Sequence, residues 1–312
     1  MPHFDLFDWT QRPSPDLLYR RDDGYDIRWG EAVRTDAADY SRADVVLLGL
    51  PQDEGVRRNR GRVGARHAPS AIREYFYRTV ARTDITLFDA GDTRISDGLT
   101  LEAIHERHQA IVAQIIADGK TLIVLGGGND TSYPDCAALA QATDSQPLAF
   151  NIDAHFDVRA DTPRNSGTPY RQLLEGGFIR ADGFFEIGYQ PFANPPAYHD
   201  YLREKGVQTF PLAAVRGEAL PALLRRLLAE SDANAVFWGV DMDVVRASDA
   251  PGVSAVNPTG LSGEALCTVA TIAGAEERTR LFEITEVNPH YDVDGRTSRL
   301  ASAAIWHFLA ER

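Results

Sequence analysis

Short, almost wholly apolar segments recur along the chain and constrain its fold more than any other feature. They have the length of strands and are apolar at consecutive rather than alternate positions. Continuous apolarity indicates that both faces of a strand are covered, as in a parallel sheet between two layers of helices. The predicted strands span residues 44–50, 121–127, 147–153, 183–189, 207–212, 235–241 and 280–286.

The segments between these strands show the periodicity of amphipathic helices. In residues 100–120 the isoleucine and valine side chains fall on one helix face, and residues 217–230 and 298–311 are helical by the same criterion. Strand–helix alternation with right-handed crossovers predicts one three-layer α/β/α domain over residues 1–312. Residues 1–43 are weakly patterned, and we expect them to be an irregular segment packed on that domain.

Charge and cysteine content narrow the class of protein. The 312 residues include 45 acidic and 32 basic side chains, a formal net charge of −13, which disfavours a nucleic-acid surface. Cys136 and Cys267 form no CxxC motif, which favours a reducing compartment. No apolar run approaches the ~20 residues that cross a bilayer, and residues 1–16 lack a signal-peptide pattern. We therefore expect a cytoplasmic protein without a membrane partner.

Two of the predicted strands end in acidic clusters. The segment NIDAHFDVR contains Asp153, His155 and Asp157 at a spacing of two, and GVDMDVV contains Asp241 and Asp243 at the same spacing. Alternate residues of an extended chain project to one side. Because ligands of parallel sheets bind beyond the carboxyl ends of the strands, we expect these four carboxylates and one imidazole to converge there.

Four carboxylates so close together cannot all stay ionised without compensation. Either some bind protons or cations neutralise them. Oxygen-rich ligation with one imidazole suits Mn²⁺ better than a thiolate-preferring ion, and paired divalent ions can turn water into a nucleophile. One Asp-x-Asp motif alone is more often a helix cap or a surface loop. The two motifs together favour a site for two Mn²⁺ ions.

The motifs resemble those of the ureohydrolase family, which includes arginase, agmatinase and formimidoylglutamase. The resemblance rests first on DAHFD (153–157), DMD (241–243) and EVNP (286–289), and it covers nearly the whole chain. It implies a central parallel eight-stranded sheet, two Mn²⁺ per subunit and a homo-oligomer that acts on a small molecule. The segments that most resemble the formimidoylglutamase branch are residues 48–73, 155–159, 165–172 and 250–258.

The resemblance also implies a role for each residue of the acidic clusters. Asp153 and Asp241 would bridge the two ions. Asp157 would complete one site, and His155 with Asp243 would complete the other. Glu286 would hold the cationic amidine or guanidine group through paired, charge-assisted hydrogen bonds. Glu286 and Asp157 are therefore the predicted catalytic residues.

Asn129 is the main departure from the family pattern. In the segment GGGND it stands where the family has a histidine ligand. An amide oxygen can bind Mn²⁺ but is a weaker donor than imidazole, so we expect one ion to be held less tightly. Asp130 would replace it only if the backbone turned inward, which the glycines at 126–128 permit. Because the other five ligand positions are intact, we expect the cluster to survive.

Formimidoylglutamase converts N-formimidoyl-L-glutamate to L-glutamate and formamide, and that substrate has two carboxylates that need cationic partners. Arg159 follows the metal motif by two residues, and the basic run at residues 57–62 offers further candidates. The predicted substrate-binding residues are Arg159, Arg58, Asn59, Ser166 and Tyr170, with Arg62 as an additional candidate from the basic run.

Two other functions fit the same residues. A hydrolase of another guanidino compound, such as an arginase or agmatinase, would favour acidic rather than basic groups around a cationic substrate tail. A ureohydrolase-like protein that has lost its cluster would serve as a binding or regulatory subunit. Asn129 is the feature that supports this last alternative.

Overall fold

The computed structural model describes residues 5–82 and 84–312, and within these ranges nine strands form one sheet. Their order across the sheet is β1-β3-β2-β4-β9-β8-β5-β6-β7. Strands β2 to β9 are parallel, whereas β1 pairs antiparallel with β3 at one edge. The strands are β1 (Thr10–Gln11), β2 (Val45–Gly49), β3 (Leu87–Thr93), β4 (Thr121–Leu125), β5 (Leu148–Ile152), β6 (Phe184–Tyr189), β7 (Gln208–Pro211), β8 (Val236–Asp241) and β9 (Thr279–Thr285).

Helices cover both faces of the sheet. The α-helices of the described residues are α1 (Leu6–Trp9), α2 (Trp29–Ala32), α3 (Glu54–Arg58), α4 (Ala68–Phe76), α5 (Leu101–Ala117), α6 (Ser132–Ala142), α7 (Pro169–Glu175), α8 (Pro196–Lys205), α9 (Ala219–Glu230), α10 (Gly263–Ala275) and α11 (Arg296–Leu309). No helix of this described part is long and apolar enough to span a membrane.

The core consists of two hydrophobic clusters, one on each face of the sheet. On β2, Val45 and Leu47 belong to the cluster beneath α4, α9, α10 and α11, whereas Val46 and Leu48 belong to the cluster beneath α5, α6, α7 and α8. Alternate residues of one strand thus face different helix layers, which explains why the strands are apolar throughout. The predicted three-layer fold with eight parallel strands is confirmed.

The predicted elements are all present, with strand ends shifted by at most two residues. Strand β3 was not predicted because its sequence, LFDAGDT, interrupts the apolar pattern with acidic residues. Asp89 of this strand is fully buried and accepts a hydrogen bond from Arg73 of α4 at 2.7 Å. A buried ion pair, rather than an apolar side chain, therefore occupies the position of Asp89 in the core.

The prediction of an irregular N-terminal segment is wrong in part. Residues 5–43 include α1, α2 and the edge strand β1, in which Thr10 pairs with Thr93. Leu6 and Trp29 are buried in the two core clusters. These short regular elements differ from the sequence-based expectation, whereas the extent of the domain stays a prediction.

Candidate metal centre

Four neighbouring strands at the centre of the sheet deliver the predicted ligands to one edge. These strands are β4, β9, β8 and β5. Asn129 follows β4, Glu286 follows β9, Asp241 ends β8 and Asp153 follows β5. Because the strands are parallel, their carboxyl ends lie side by side, and the residues after them meet although they are far apart in sequence.

Two groups of side chains bring their ligand atoms within 4.8 Å of one another. One group is Asp153, His155 and Asp243, and the other is Asp153, Asp157 and Asp241. Asp153 is common to both, as the family resemblance implies. Asp241 belongs to the second group only, whereas the resemblance implies that it contacts both ions. The assignment of these residues as ligands stays a prediction.

At Asp153 and at Asp241 the chain forms a turn instead of continuing as an extended strand. The Asp153 carboxylate accepts a hydrogen bond from the backbone N–H of His155 at 2.7 Å, and Asp241 accepts one from the N–H of Asp243 at 2.8 Å. Aspartate commonly bonds the backbone two residues on in this way. The spacing of two thus has a different cause from the strand alternation that we expected, although the side chains converge as predicted.

Burial makes this cluster electrostatically costly. Asp153, Asp241 and Asp243 are at most 3% exposed. Burial, with the charge of Asp243 next in effect, raises the pKa of Asp153 and Asp241 well above the usual range, and burial raises the pKa of Asp157 to about 6. Asp243 lies 2.9 Å from Nδ1 of His155, and its charge raises the pKa of that imidazole. Protons or cations must balance these charges.

The chemistry of the donor set fits divalent cations of the manganese type. The groups offer carboxylate oxygens and one imidazole nitrogen within 4.8 Å, with no thiolate. Hard oxygen donors with a single imidazole are typical ligands of Mn²⁺. A cation at each group would compensate the carboxylates whose pKa values burial raises.

Asn129 lies among the carboxylates, as predicted. Its amide nitrogen donates to Asp157 at 2.8 Å and to Asp153 at 3.2 Å. The side chain of Asp130 faces elsewhere, because its Oδ2 accepts from Gln52 at 2.8 Å and lies 2.7 Å from Nε2 of His105. Asp130 is therefore not oriented to replace Asn129, and the inward turn that the glycines permit does not occur.

Glu286 has one carboxylate oxygen available at the cluster. Its Oε1 accepts the backbone N–H of Asn129 at 3.0 Å, whereas its buried Oε2 has no hydrogen-bond partner among the described residues. Burial raises the pKa of this carboxyl. Buried oxygens without a partner are rare, so an unpaired one beside a cleft marks a place where a ligand donor fits.

Strained backbone is concentrated at this site. Among the described residues, six that are not glycine have positive φ, and three of these line the cleft: Arg60 (62°), Asp157 (45°) and Glu286 (62°). Each left-handed residue of this kind costs on the order of 1–3 kcal/mol. The surrounding fold holds these side chains in directions that a relaxed chain would not favour.

A cleft of about 320 Å³ opens onto the cluster. Its floor includes His155, Asp157, Asp241, Asp243 and Glu286, and its wall includes Asn59, Arg60, Arg62, Arg159, Ser166 and Ser254. Asn59 donates to the Ser166 hydroxyl at 3.0 Å. Asn59, Arg159 and Ser166 thus line the cleft, and their contact with a substrate stays a prediction.

The structure places two of the predicted substrate-binding residues outside the lining of this cleft. The Arg58 guanidinium is paired with Glu102 at 2.6 Å and Glu54 at 3.1 Å, and it does not line the cleft. Tyr170 is fully buried and stacks on Phe184 with ring centroids 5.1 Å apart. Both side chains are directed by helices toward other elements, α5 for Arg58 and the sheet for Tyr170.

Arg60 lines the cleft, although it was not one of the residues singled out within the basic run at 57–62. It lines the wall beside Arg159, and no salt bridge links either guanidinium to a carboxylate of the described residues. Arg62, by contrast, donates to the carbonyl of Ser254 at 3.0 Å and stacks on Tyr291. No signal in the sequence separates these arginines, because the direction of Arg60 depends on its left-handed backbone.

Comparison with known proteins identifies relatives over almost the full chain. A model of the arginase family matches residues 43–310. The formimidoylglutamase of Rhodococcus opacus is 31% identical over 311 residues, which cover 96% of each chain.

Two solved structures share the fold. The crystal structure of Trypanosoma cruzi formiminoglutamase with Mn²⁺ has a TM-score of 0.84 and 32% identity, and the match covers 91% of this chain and 97% of that chain. The formimidoylglutamase of Bacillus subtilis has a TM-score of 0.87 and 26% identity, with 94% of both chains covered. The resemblance to ureohydrolases is thereby confirmed, and the chain belongs to the arginase family.

Proposed function

We propose that this protein is a manganese-dependent formimidoylglutamase, which hydrolyses N-formimidoyl-L-glutamate to L-glutamate and formamide. Relatives of this name match nearly the whole chain, and one of them was crystallised with Mn²⁺. The observation that carries the proposal for this chain is the distribution of charge in the cleft.

The cleft has an acidic floor and a basic wall. Carboxylates of Asp157, Asp241 and Glu286 lie at the floor, and Arg60 and Arg159 lie on the wall without a salt bridge to the described residues. N-Formimidoyl-L-glutamate has the matching polarity, with an amidine at one end and two carboxylates at the other. Agmatine and guanidine have no carboxylate, so they would leave the two arginines without a partner.

The metal-binding role falls to the residues that converge on the floor. Asp153, His155, Asp157, Asp241, Asp243 and Asn129 would hold two Mn²⁺ ions, with the Asn129 site the weaker of the two. When bound, the ions supply Lewis acidity and lower the pKa of water so that it becomes a nucleophile at neutral pH. Asp157 would hold one of these cations at the cleft floor, which makes it one of the two proposed catalytic residues.

The remaining residues bind and orient the substrate. Glu286 offers its unpaired Oε2 to the amidine N–H groups, which fixes the amidine carbon above the acidic floor. Arg159 and Arg60 bind the two substrate carboxylates, while Asn59 and Ser166 line the same cleft. Water adds to the amidine carbon, the bond from that carbon to the glutamate nitrogen breaks, and this nitrogen takes up a proton.

The proposal is tested with the purified, manganese-loaded protein. With N-formimidoyl-L-glutamate as substrate, we expect proton NMR to detect L-glutamate and formamide in equal amounts. We expect no turnover of arginine, agmatine or guanidine. Activity on one of the guanidino compounds but not on the amidine would overturn the substrate assignment. A protein that binds no Mn²⁺ and hydrolyses none of the four would instead favour a non-catalytic member of the family.

We also propose that the protein works in the cytoplasm as a homo-oligomer. Free Cys136 and Cys267 agree with a reducing compartment. Exposed Tyr291 and Val293 are apolar side chains of the kind that subunit interfaces cover. Light scattering coupled to gel filtration tests the assembly, and a monomer at micromolar concentration would contradict it.

A further inference from the structure

The Asn129 side chain is held by two hydroxyl groups on the side away from the carboxylates. Its Oδ1 accepts hydrogen bonds from Thr285 at 2.8 Å and from Ser132 at 3.1 Å. All three residues are at most 1% exposed, so water does not compete for these bonds. The amide nitrogen consequently faces Asp153 and Asp157, where it donates to both.

This orientation suits a site without a cation but not one with a cation. The N–H groups of the amide partly neutralise the carboxylates, whereas a divalent ion at the same place needs the amide oxygen instead. A carboxamide is nearly symmetric in shape. Rotation by 180° about its last side-chain bond therefore exchanges oxygen and nitrogen without moving any other group.

The two hydroxyls can support the rotated amide equally well. Each hydroxyl has one proton to donate and two lone pairs to accept. Ser132 lies 3.2 Å from Oε1 of Glu283, and Thr285 lies 3.3 Å from the carbonyl oxygen of Val240. If the hydroxyl protons turn to these acceptors, the freed lone pairs accept the N–H groups of the rotated amide. The amide N–H groups and both hydroxyl protons then each have an acceptor.

We propose that Ser132 and Thr285 are positioning residues that hold the Asn129 amide in either orientation, with its nitrogen toward the carboxylates in the cation-free protein and its oxygen toward a bound divalent cation. This inference rests on the proposed function, because it takes Asn129 as a manganese ligand. Because each hydroxyl can either donate or accept a hydrogen bond, the Asn129 amide can serve where a histidine is usual. Its oxygen is then directed at the cation, and its N–H groups donate to the two hydroxyls.

The experiment measures Mn²⁺ binding by isothermal titration calorimetry, without reference to catalysis. Thr285→Val and Ser132→Ala each remove a hydroxyl with little change of shape. We expect each variant to lower the Mn²⁺ affinity of one of the two sites by about tenfold, as is typical when a group that orients a metal ligand is lost. Thr285→Ser retains the hydroxyl and should bind Mn²⁺ like the parent protein.

A double-mutant cycle separates positioning from a general structural role. In an Asn129→Ala background, Thr285→Val should cause no further loss of affinity, because the amide through which it acts is gone. An equal loss in both backgrounds, or unchanged affinity in the single variants, would overturn the proposal. Melting curves of the cation-free variants verify folding, and Ser132→Ala alone completes the cycle if Thr285→Val does not fold. A parent protein that binds no Mn²⁺ would defeat the proposed function as well, whereas unaffected variants of a two-ion protein would defeat only this inference.

Discussion

Neighbouring arginines of one basic run have different surroundings. Arg57 is paired with Glu54 and its side chain is 66% exposed, while Arg58 is bound to Glu102 and Arg62 to backbone carbonyls. Arg60 lines the cleft. The identity of an arginine therefore does not decide its role. The role depends on the backbone angles at each position and on whether a carboxylate or carbonyl lies within reach of the guanidinium.

We predict that Arg159→Ala and Arg60→Ala each raise KM for N-formimidoyl-L-glutamate by about 10- to 100-fold, because hydrogen bonds to charged groups contribute about 1.5–3 kcal/mol. Binding that is equal in the ground and transition states changes KM more than kcat. Steady-state kinetics measure both constants. Arg57→Ala, from the same run but outside the cleft, is the matched control and should leave KM unchanged. An unchanged KM in both cleft variants would refute carboxylate binding by these arginines.

Asn129→His should tighten one Mn²⁺ site without abolishing hydrolysis. Imidazole is a stronger donor than a neutral amide oxygen, so we expect about a tenfold gain in affinity, equal to about 1.4 kcal/mol. Isothermal titration calorimetry gives the affinity, and formamide release gives the activity. If the variant binds Mn²⁺ no better than the parent, Asn129 is not a ligand.

At the level of elements, the segment after β4 has a backbone path that only glycine permits. A Cβ added to Gly127 would overlap the carbonyl oxygen of Gln52, and one added to Gly126 would press on Thr285. This close approach sets where the chain turns toward Asn129, which donates its backbone N–H to Glu286. The glycines thus position Asn129 by allowing the backbone to pass close to Gln52 and Thr285, and they need not contact a ligand themselves.

Gly127→Ala should lower both stability and Mn²⁺ content. Displacement of the loop by the added methyl group is expected to cost about 1–3 kcal/mol and to move Asn129 away from Asp153. Urea unfolding and metal analysis of the purified variant measure the two effects. Gly24→Ala is the control, since an added Cβ there meets nothing within 4 Å. Similar behaviour of the two variants would show that the loop path is not constrained.

The ion pair between Arg58 and Glu102 joins α3 to α5 and makes part of the stability pH-dependent. The hydrogen bond from Arg58 lowers the pKa of Glu102 to about 2, below its ordinary 4.5. On acidification, therefore, the Glu102 carboxylate binds a proton at a higher pH in the unfolded chain than in the folded protein. The contribution is complete above pH 4.5 and is lost as the pH falls toward 2.

Glu102→Gln should therefore destabilise the protein at pH 6 and have little effect near pH 2. The Glu102 side chain is 37% exposed, so solvent screening limits the difference to about 1 kcal/mol or less. Urea unfolding of parent and variant at several pH values measures it. The same difference at both ends of the range would exclude the ion pair as its cause.

At the scale of the molecule, residues 5–43 contribute to both hydrophobic clusters. Leu6 belongs to the cluster on one face, and Trp29 belongs to the other, where it stacks on Phe76 with centroids 5.7 Å apart. Strand β1 also covers the exposed edge of β3. We propose on these grounds that residues 1–312 form a single domain.

Removal of residues 1–43 should then destabilise the whole molecule. Loss of Trp29 alone would cost about 3–5 kcal/mol. Thermal unfolding followed by circular dichroism and by tryptophan fluorescence should show one coincident transition for the full chain and a markedly lower midpoint for the truncated chain. Two separate transitions, or an unchanged midpoint, would contradict a single domain.

The sequence by itself determined the features that depend on local interactions. Continuous apolar runs identified seven of the nine strands, and the acidic motifs identified the edge of the sheet where the cluster lies. These signals are local because burial on both faces requires apolar residues, and because Asp153 and Asp241 bond to backbone only two residues away.

Only the tertiary structure decided the properties that depend on distant partners. In strand β3 the buried Asp89 is compensated by Arg73 of another element, and Arg58 is turned from the cleft lining by Glu102, 44 residues away. The adjacency of β4, β9, β8 and β5 assembles the site from segments far apart in sequence. The physical reason is that side-chain direction and charge pairing follow from backbone angles and from neighbours that the fold alone brings together.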